Sequence, residues 1–325
     1  MADPNKVNRR TAMGRCAAVA GSAYALSKAA EASAAGSDEA KGDGMLYGKL
    51  GDVKMSRMML GGNLVSGYMH ARDLKYVNRL FRAYVNEEKI FETFQIAEEN
   101  GINTVLESGA NLVYKYNKER GGKMLIIPSI HPDVGQPEGK LKAEIAKKVD
   151  DGCAALYIWG VAGDKLTKLQ RVDLIAEAVE LTKKHNIPIG VGAHSLEVVK
   201  ACEEQGIPCD FYVKTLHQDN YFTATPEPLR KEYIWLDGGE GWHDSMWCIN
   251  PEETVEYMAK VKKPWIAFKV LAAGAILPRH GFAHALDSGA DFLGVGMFDF
   301  QIEENCKTFN RLARRADNRS RPWYG

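Results

Sequence analysis

Short apolar runs recur from residue 45 onward and alternate with longer stretches of helical period. Each run is short enough to form a strand that is buried on both faces. The runs lie at residues 56–60, 102–106, 124–127, 154–158, 187–191, 210–213, 265–270 and 291–295. Between them, apolar positions repeat at helical spacing, as in Val172, Ile175 and Val179. The pattern therefore predicts eight strands that alternate with helices.

Eight strands that are each followed by a helix are typical of a closed parallel barrel. An open doubly wound sheet is the alternative, but no G-x-G-x-x-G sequence follows an early strand. We therefore predict an α/β protein with one (β/α)₈ TIM barrel over residues 45–325. Two connections are longer than usual, and they predict insertions after strands 1 and 6, at residues 63–85 and 215–249.

The predicted insertion after strand 6 is rich in aromatic residues. Loops that follow strands lie on the face where barrel enzymes keep their sites. Tyr221, Trp242 and Trp247 are therefore candidate substrate-binding residues, since rings with polar tips suit a small oxygenated ligand such as a sugar. Alternatively, these rings pack a small core of the insertion itself. Gly274 and Gly296 follow the last two strands, where they either bind an anion through backbone N–H groups or relieve crowding.

Residues 1–44 differ from the rest of the chain. Arg9 and Arg10 precede an apolar stretch at residues 16–26 and a small-residue cleavage candidate at residues 32–34. This arrangement resembles a twin-arginine signal followed by a linker at residues 36–44. The resemblance implies a bacterial periplasmic or exported protein whose partner is the twin-arginine export machinery. The alternative is a disordered alanine-rich tail.

The composition narrows the class of partner. The chain of 325 residues has 42 basic and 42 acidic residues, so we expect no nucleic-acid partner. No apolar run reaches the roughly 18 residues of a membrane-spanning helix, and we expect no integral membrane segment beyond the signal peptide. Six cysteines lack the spacing of a zinc ribbon or a disulfide framework. A small-molecule substrate is therefore the expected partner.

Several segments resemble the aldo/keto reductase family. Residues 47–51 and 56–62 resemble its opening, residues 101–104 its second strand and residues 190–195 its fifth. More specifically, the chain resembles a branch of exported bacterial proteins with this kind of barrel, and segments 192–198, 214–217, 268–274 and 294–300 carry that likeness. The resemblance implies a TIM barrel and, as one expected function, NADP-dependent carbonyl reduction.

The catalytic tetrad of the reductases is not matched residue by residue. The resemblance places the family's Asp near Leu106 or Glu107, its Tyr at Leu112 and its His at Trp159 or Gly160. The family's Lys falls within residues 126–129, which contain no lysine. Hydride transfer to a carbonyl needs a proton donor with a tuned pKa at the carbonyl oxygen. We therefore expect that reductase chemistry is not retained.

Charged and imidazole side chains gather where the predicted strands end. They are Glu107, His131, His194, Lys214, His217 and Lys269. A lysine in an apolar strand is costly to bury unless its ammonium projects into a polar pocket. We therefore expect these side chains to converge at the carboxyl-terminal mouth of the barrel.

Two chemistries fit this set of residues. In the first, His131, His194 and His217 hold a divalent metal together with Glu107, and Zn²⁺, Fe²⁺ or Mn²⁺ would suit such donors. In the second, Lys214 or Lys269 forms a Schiff base while the other lysine lowers its pKa. The two segments around these lysines resemble the lysine pair of class I deoxyribose-phosphate aldolases.

The sequence predicts an exported lyase or isomerase that acts on a small sugar-derived carbonyl compound. Lys214 and Lys269 are the expected acid/base or Schiff-base residues, and Glu107 is the expected proton carrier. Two alternatives stay open: an NADP-dependent oxidoreductase of the aldo/keto reductase kind, and a barrel that binds a ligand without catalysis.

Overall fold

The computed structural model describes residues 44–70, 74, 76–231 and 246–325. Eight parallel strands close into a barrel, in which β10 pairs with β3 through Gly294 and Met59. The barrel strands are β3 (Met58–Gly61), β4 (Thr104–Glu107), β5 (Leu125–Ile130), β6 (Leu156–Ile158), β7 (Ile189–Ala193), β8 (Phe211–Thr215), β9 (Trp265–Phe268) and β10 (Phe292–Val295). This confirms the predicted (β/α)₈ fold.

An antiparallel hairpin precedes the barrel. Its strands are β1 (Tyr47–Leu50) and β2 (Val53–Ser56), with Tyr47 opposite Ser56. Leu50 and Met55 of the hairpin are buried with the side chains that fill the barrel interior. The hairpin therefore closes one end of the barrel with apolar side chains, and it leaves the carboxyl-terminal end of the strands for the site.

Helices follow the strands around the outside of the barrel. They are α1 (Gly62–Val65), α2 (Val77–Tyr84), α3 (Glu87–Glu99), α4 (Ala110–Arg120), α5 (Lys140–Asp150), α6 (Gly160–Lys168), α7 (Val172–Lys183), α8 (Leu196–Glu204), α9 (Pro251–Met258), α10 (Pro278–Asp287) and α11 (Asp299–Arg314). A single 3₁₀ turn, Glu227–Leu229, follows β8. None of the helices in these ranges is long and apolar enough to cross a bilayer.

Side chains along each barrel strand alternate between two buried layers. On β8, Phe211 and Val213 face the barrel interior, whereas Tyr212 packs between the strands and the helices. Lys214 has the same parity as Tyr212. Its register partners Ala193 and Ala267 also pack in the outer layer. The backbone register therefore places Lys214 on the outer face of the sheet.

Both predicted insertions lie at the carboxyl-terminal face. The first contains α1 and α2. In the second, Arg230 Nη1 lies 2.6 Å from Asp219 Oδ2. Trp242 lies outside the described residues. The predicted signal and linker also lie outside them, apart from Gly44. Export and a substrate contact by Trp242 therefore stay predictions.

Glycines allow α6 to pack closely against β7. A Cβ added to Gly163 would lie 2.3 Å from the carbonyl oxygen of Gly192. A Cβ added to Gly192 would lie 2.4 Å from the carbonyl oxygen of Ile158. Since real Cβ atoms do not approach backbone oxygens this closely, both positions require glycine. This close packing brings Asp164 of α6 to the end of β7.

Candidate functional site

Three ionisable side chains lie at the ends of barrel strands, at the carboxyl-terminal mouth of the barrel. Lys269 follows β9, Glu107 ends β4, and His194 follows β7. Burial raises the pKa of Glu107, and the charge of Lys269 partly opposes this rise; burial lowers the pKa of His194, and Lys269 adds to this decrease. One cation therefore lies within range of a carboxyl group and an imidazole that come from different strands.

The Lys269 ammonium is held by an imidazole and an indole. Its Nζ lies 2.7 Å from His70 Nε2 and 3.6 Å from the centroid of the Trp247 ring. An ammonium can only donate, so His70 Nε2 is the acceptor. The Asn63 amide is also close to this nitrogen, at 3.3 Å. A cation over an indole face is an attractive arrangement.

Glu107 lies against the indole of Trp159. Trp159 Nε1 donates to Glu107 Oε1 at 3.1 Å. Burial raises the pKa of the Glu107 carboxyl, while Lys269, the Trp159 hydrogen bond and His131 partly oppose that rise. Burial therefore makes this carboxyl easier to protonate than an exposed glutamate, and the protonated form is the one that can give a proton.

Left-handed backbone geometry directs two of these side chains. Glu107 has φ 89° and Lys269 has φ 59°, values that residues other than glycine seldom adopt. Each follows an inward-facing residue, Leu106 or Phe268, so regular alternation would direct both side chains to the outer layer. The positive φ ends that alternation, and both side chains instead contact the indoles at the mouth. Strained geometry of this kind is frequent at functional sites.

His194 is fixed by a carboxylate from α6. Its Nδ1 lies 2.7 Å from Asp164 Oδ2, and both side chains are buried. Burial lowers the pKa of His194, and Asp164 opposes this effect, whereas Lys269 and Lys214 reinforce it. The net direction favours the neutral imidazole, the form that can accept a proton.

His217 has a structural role, because both of its ring nitrogens bind backbone groups. Its Nε2 accepts hydrogen bonds from the backbone N–H groups of Trp247 at 2.8 Å and Cys248 at 3.0 Å. Its Nδ1 donates to the Gln218 carbonyl at 2.8 Å. Burial, the largest cause, lowers the pKa of His217 to about 4. This imidazole therefore holds the returning end of the insertion that carries Trp247.

The three histidines do not form the metal-binding group that was expected. His131 is 49% exposed at its side chain and pairs with Glu144 at 2.7 Å. His194 pairs with Asp164, and both ring nitrogens of His217 bind backbone groups. Over the described ranges, no three His, Cys, Asp or Glu side chains are grouped so that they could hold a metal ion. The prediction failed because the histidines follow different strands and face different partners.

Lys214 does not project into the mouth as expected. Its side chain is fully buried, and its Nζ donates to the Thr215 carbonyl at 2.9 Å and to Thr215 Oγ1 at 3.0 Å. Thr215 Oγ1 also lies 3.1 Å from the carbonyl oxygens of His194 and Trp247. Lys214 therefore supports the backbone that carries two residues of the site.

The candidate substrate-binding residues have different environments. Trp247 lies at the mouth, and its ring centroid is 5.4 Å from that of His194. Tyr221 packs edge-on against His217 at 6.0 Å. A Cβ added to Gly274 would meet no atom within 4 Å, and Gly296 is nearly as open. Trp247 thus faces the Lys269 ammonium.

The start of α11, beside Gly296, is occupied by a carboxylate of the protein itself. Asp299 is 8% exposed and accepts a hydrogen bond from Tyr84 at 2.6 Å. Lys89 lies 3.2 Å from the same carboxylate. An acid at a helix start competes with an external anion for that position. The helix start beside Gly296 is therefore already occupied, and the open space around both glycines shows no crowding that they relieve.

Three site residues were not predicted from the sequence. Asp164 lies inside a helix, His70 lies in the first insertion, and Trp159 was considered only for its register with the reductase histidine. The polar pattern at strand ends identifies groups that follow strands directly. A partner that reaches the mouth from a helix or an insertion leaves no such pattern.

The comparisons with known proteins identify the fold. No family model and no curated protein sequence matches the chain. A putative aldo-keto reductase from Pseudomonas aeruginosa is similar in structure, with 14% identity, a TM-score of 0.56, and coverage of 82% of this chain and 95% of that chain.

Two other solved structures are more weakly similar. One is an N-acetylmannosamine-6-phosphate 2-epimerase from Clostridium perfringens, with 16% identity, a TM-score of 0.42, and coverage of 67% of this chain and 84% of that chain. The other is an N-acetylneuraminic acid synthetase from Leptospira borgpetersenii, with 10% identity, a TM-score of 0.42, and coverage of 84% and 90%. At such identities the comparisons show the barrel alone, because one barrel serves many reactions.

Proposed function

We propose that this protein is an exported lyase or isomerase that moves a proton next to the carbonyl of a small sugar-derived compound. One observation carries the proposal: two indoles of one packed cluster join the three groups at the mouth. The centroid of the Trp247 ring lies 3.6 Å from Lys269 Nζ and 5.4 Å from that of the His194 ring. Trp159, which packs against the cluster that contains Trp247, donates a hydrogen bond to Glu107 at 3.1 Å. A cation, a proton donor and a basic nitrogen are the groups that enolisation of a hydroxy-carbonyl compound requires.

Each group has a role in this reaction. Loss of a proton beside a carbonyl leaves negative charge on the carbonyl oxygen, which the Lys269 ammonium stabilises. Glu107, whose pKa is raised by burial, gives a proton to the product carbon or to the leaving oxygen. The Trp247 ring provides an apolar wall of the kind that packs on the C–H face of a sugar.

The proposed substrate carries no phosphate. Asp299 occupies the start of α11, and Gly274 and Gly296 do not line a close cradle. The twin-arginine-like sequence at Arg9 and Arg10 supports export, where unphosphorylated sugars are available. Expression of the full chain and recovery of the protein from the periplasm, with its retention in the cytoplasm when both arginines are replaced by lysine, tests that part.

Deuterium exchange tests the reaction class directly. The protein is incubated in D₂O with dihydroxyacetone, D-xylose or D-fructose, and proton NMR follows the hydrogens beside the carbonyl. We expect exchange with at least one compound to be faster than in a protein-free control. No exchange with any of the three would overturn the proposal.

Two further measurements separate the alternatives. Tight NADPH binding together with carbonyl-dependent NADPH oxidation would favour the reductase. A borohydride-trapped adduct of dihydroxyacetone on Lys269 would show that this lysine forms a Schiff base instead of acting as a cation.

A further inference from the structure

Asp164 holds His194 through three hydrogen bonds at the end of β7. Its Oδ1 accepts from the backbone N–H groups of His194 and Ser195, both at 3.0 Å. Its Oδ2 accepts from His194 Nδ1 at 2.7 Å. The carboxylate therefore fixes the ring, and it places the proton of the neutral imidazole on Nδ1 and the lone pair on Nε2.

Two aromatic rings pack against the buried His194 imidazole. The His194 ring centroid lies 5.4 Å from that of Trp247 and 5.5 Å from that of Phe268. Among the described residues, Lys269 and Lys214 are cations in electrostatic range of the ring, and Asp164 is an anion. The imidazole thus lies among aromatic rings, and it shares the Trp247 indole with the Lys269 ammonium.

We propose that His194 is the base that removes the proton beside the carbonyl, and that Asp164 is its positioning residue. This inference rests on the proposed function. Nε2 takes the proton from carbon, the C–H electron pair forms the new C=C bond, and the carbonyl π pair moves to oxygen. The enolate oxygen faces Lys269, and the Asp164 carboxylate stabilises the imidazolium until its proton returns to a carbon.

Two conservative substitutions separate the two roles. In His194→Asn, the amide nitrogen takes the place of Nδ1, so it keeps a donor for Asp164 and deletes the basic Nε2. In Asp164→Asn, Oδ1 still accepts from the two backbone amides, whereas the ring loses its carboxylate partner. Asp173→Asn removes an exposed carboxylate from the next helix and serves as the matched control.

Turnover is read as deuterium exchange into dihydroxyacetone. We expect Asp164→Asn to lower kcat about 100-fold with little change in KM, and His194→Asn to lower it at least as far. The double variant should lose no more than His194→Asn alone, because Asp164 acts through the imidazole. Asp173→Asn should keep normal turnover. Exchange in His194→Asn above half that of the unaltered protein would overturn the inference while leaving the proposed function intact.

A second readout does not depend on turnover. ¹⁵N NMR of histidine-labelled protein reports which ring nitrogen of His194 carries the proton. We expect the Nδ1–H form in the unaltered protein at pH 8 and a loss of that form in Asp164→Asn. The Nε2–H form in the unaltered protein would overturn the inference, whether or not any sugar is turned over.

Discussion

The Nζ of Lys269 lies 3.6 Å from the centroid of the Trp247 ring, which joins the end of β9 to the returning end of the insertion after β8. Trp247 is only 5% exposed. The insertion therefore supplies a wall of the site and fixes the position of its cation. The barrel mouth depends on this long connection as well as on its strands.

Lys269→Met tests the proposed role of the ammonium. Methionine keeps much of the side-chain volume and deletes the charge. We expect kcat for deuterium exchange to fall about 100- to 1,000-fold, because a preorganised group that stabilises an oxyanion commonly contributes that much. Lys147→Met removes an exposed ammonium from α5 and should leave kcat unchanged. Near-normal turnover in Lys269→Met would exclude the lysine from the mechanism.

The left-handed backbone at Lys269 predicts an unusual order of stability. With φ 59° at this position, any side chain with a Cβ is strained, and glycine is not. We expect the free energy of unfolding of Lys269→Gly to be about 1 kcal/mol higher than that of Lys269→Met, so that the glycine variant is the more stable one. Both variants lack the ammonium, so the difference reports the backbone strain minus the packing that the methionine side chain retains.

The same pair of substitutions at Lys147 should show the opposite order. Lys147 lies within helix α5, where glycine is less favourable than other residues by about 1 kcal/mol. Urea unfolding of all four variants measures both differences. Equal or lower stability of Lys269→Gly relative to Lys269→Met would contradict the strain argument.

Glu107→Gln is expected to change the pH dependence of stability. Burial raises the pKa of Glu107 in the folded protein above the usual 4.5, so the folded state holds this proton more tightly than the unfolded chain. The contribution of this tighter proton binding to the stability of the folded state is fully present below about pH 4.3, and it is lost as the pH rises through the pKa of Glu107 in the folded protein. Glutamine cannot ionise, and it keeps an oxygen for the Trp159 N–H.

The free energy of unfolding of Glu107→Gln, relative to the unaltered protein, should therefore increase from pH 4.5 to pH 8. Chemical denaturation at several pH values measures it, and Glu256→Gln, at an exposed carboxylate of α9, is the control. A constant difference across this range would show that the pKa of Glu107 is not raised. We also expect turnover to decline as the pH rises through the same pKa, because protonated Glu107 is the proton donor.

The barrel could be predicted because apolar runs mark its strands directly. The strand ends could not. The run at residues 265–270 predicted a strand to its end, but β9 stops at Phe268, because Lys269 takes a left-handed φ. A hydrophobic pattern reports burial, and Val270 is buried whether or not it belongs to a strand.

Strand ends were the signal for the candidate site residues. Glu107, His194 and Lys269 were found because each lies at a strand end. The environment of Lys214 depends on which parity of β8 faces inward, and only the register with Ala193 and Ala267 decides that. The sequence alone could not distinguish an inward from an outward lysine in a strand buried on both faces.

The sequence pattern of polar residues at strand ends could not predict the partners of the histidines. Asp164 is 30 positions away from His194 in sequence and meets it only because glycines let α6 pack against β7. His217 binds backbone amides, which every residue except proline carries. Such contacts leave no signature in residue types, and for that reason both histidines were considered metal ligands.

His217 should make stability depend on pH in the acidic range. Its pKa is lowered from 6.5 to about 4, so the unfolded chain takes up a proton here before the folded protein does. The contribution of His217 is fully present above about pH 6.5 and declines as the pH falls towards 4. His194 and His284 also have lowered pKa values, so the effect must be measured as a difference between variants.

His217→Gln and His217→Ala isolate this contribution. The glutamine oxygen can replace Nε2 as the acceptor for the backbone N–H groups of Trp247 and Cys248, and it does not titrate. We expect His217→Gln to lose less stability between pH 7.5 and pH 5 than the unaltered protein. His217→Ala leaves these buried amides without their acceptor and should cost about 1–3 kcal/mol at pH 7.5. It should also lower turnover more than His217→Gln does, because Trp247 loses its support beside Lys269. Equal acid sensitivity of His217→Gln and the unaltered protein in urea unfolding would show that His217 is not the group that titrates.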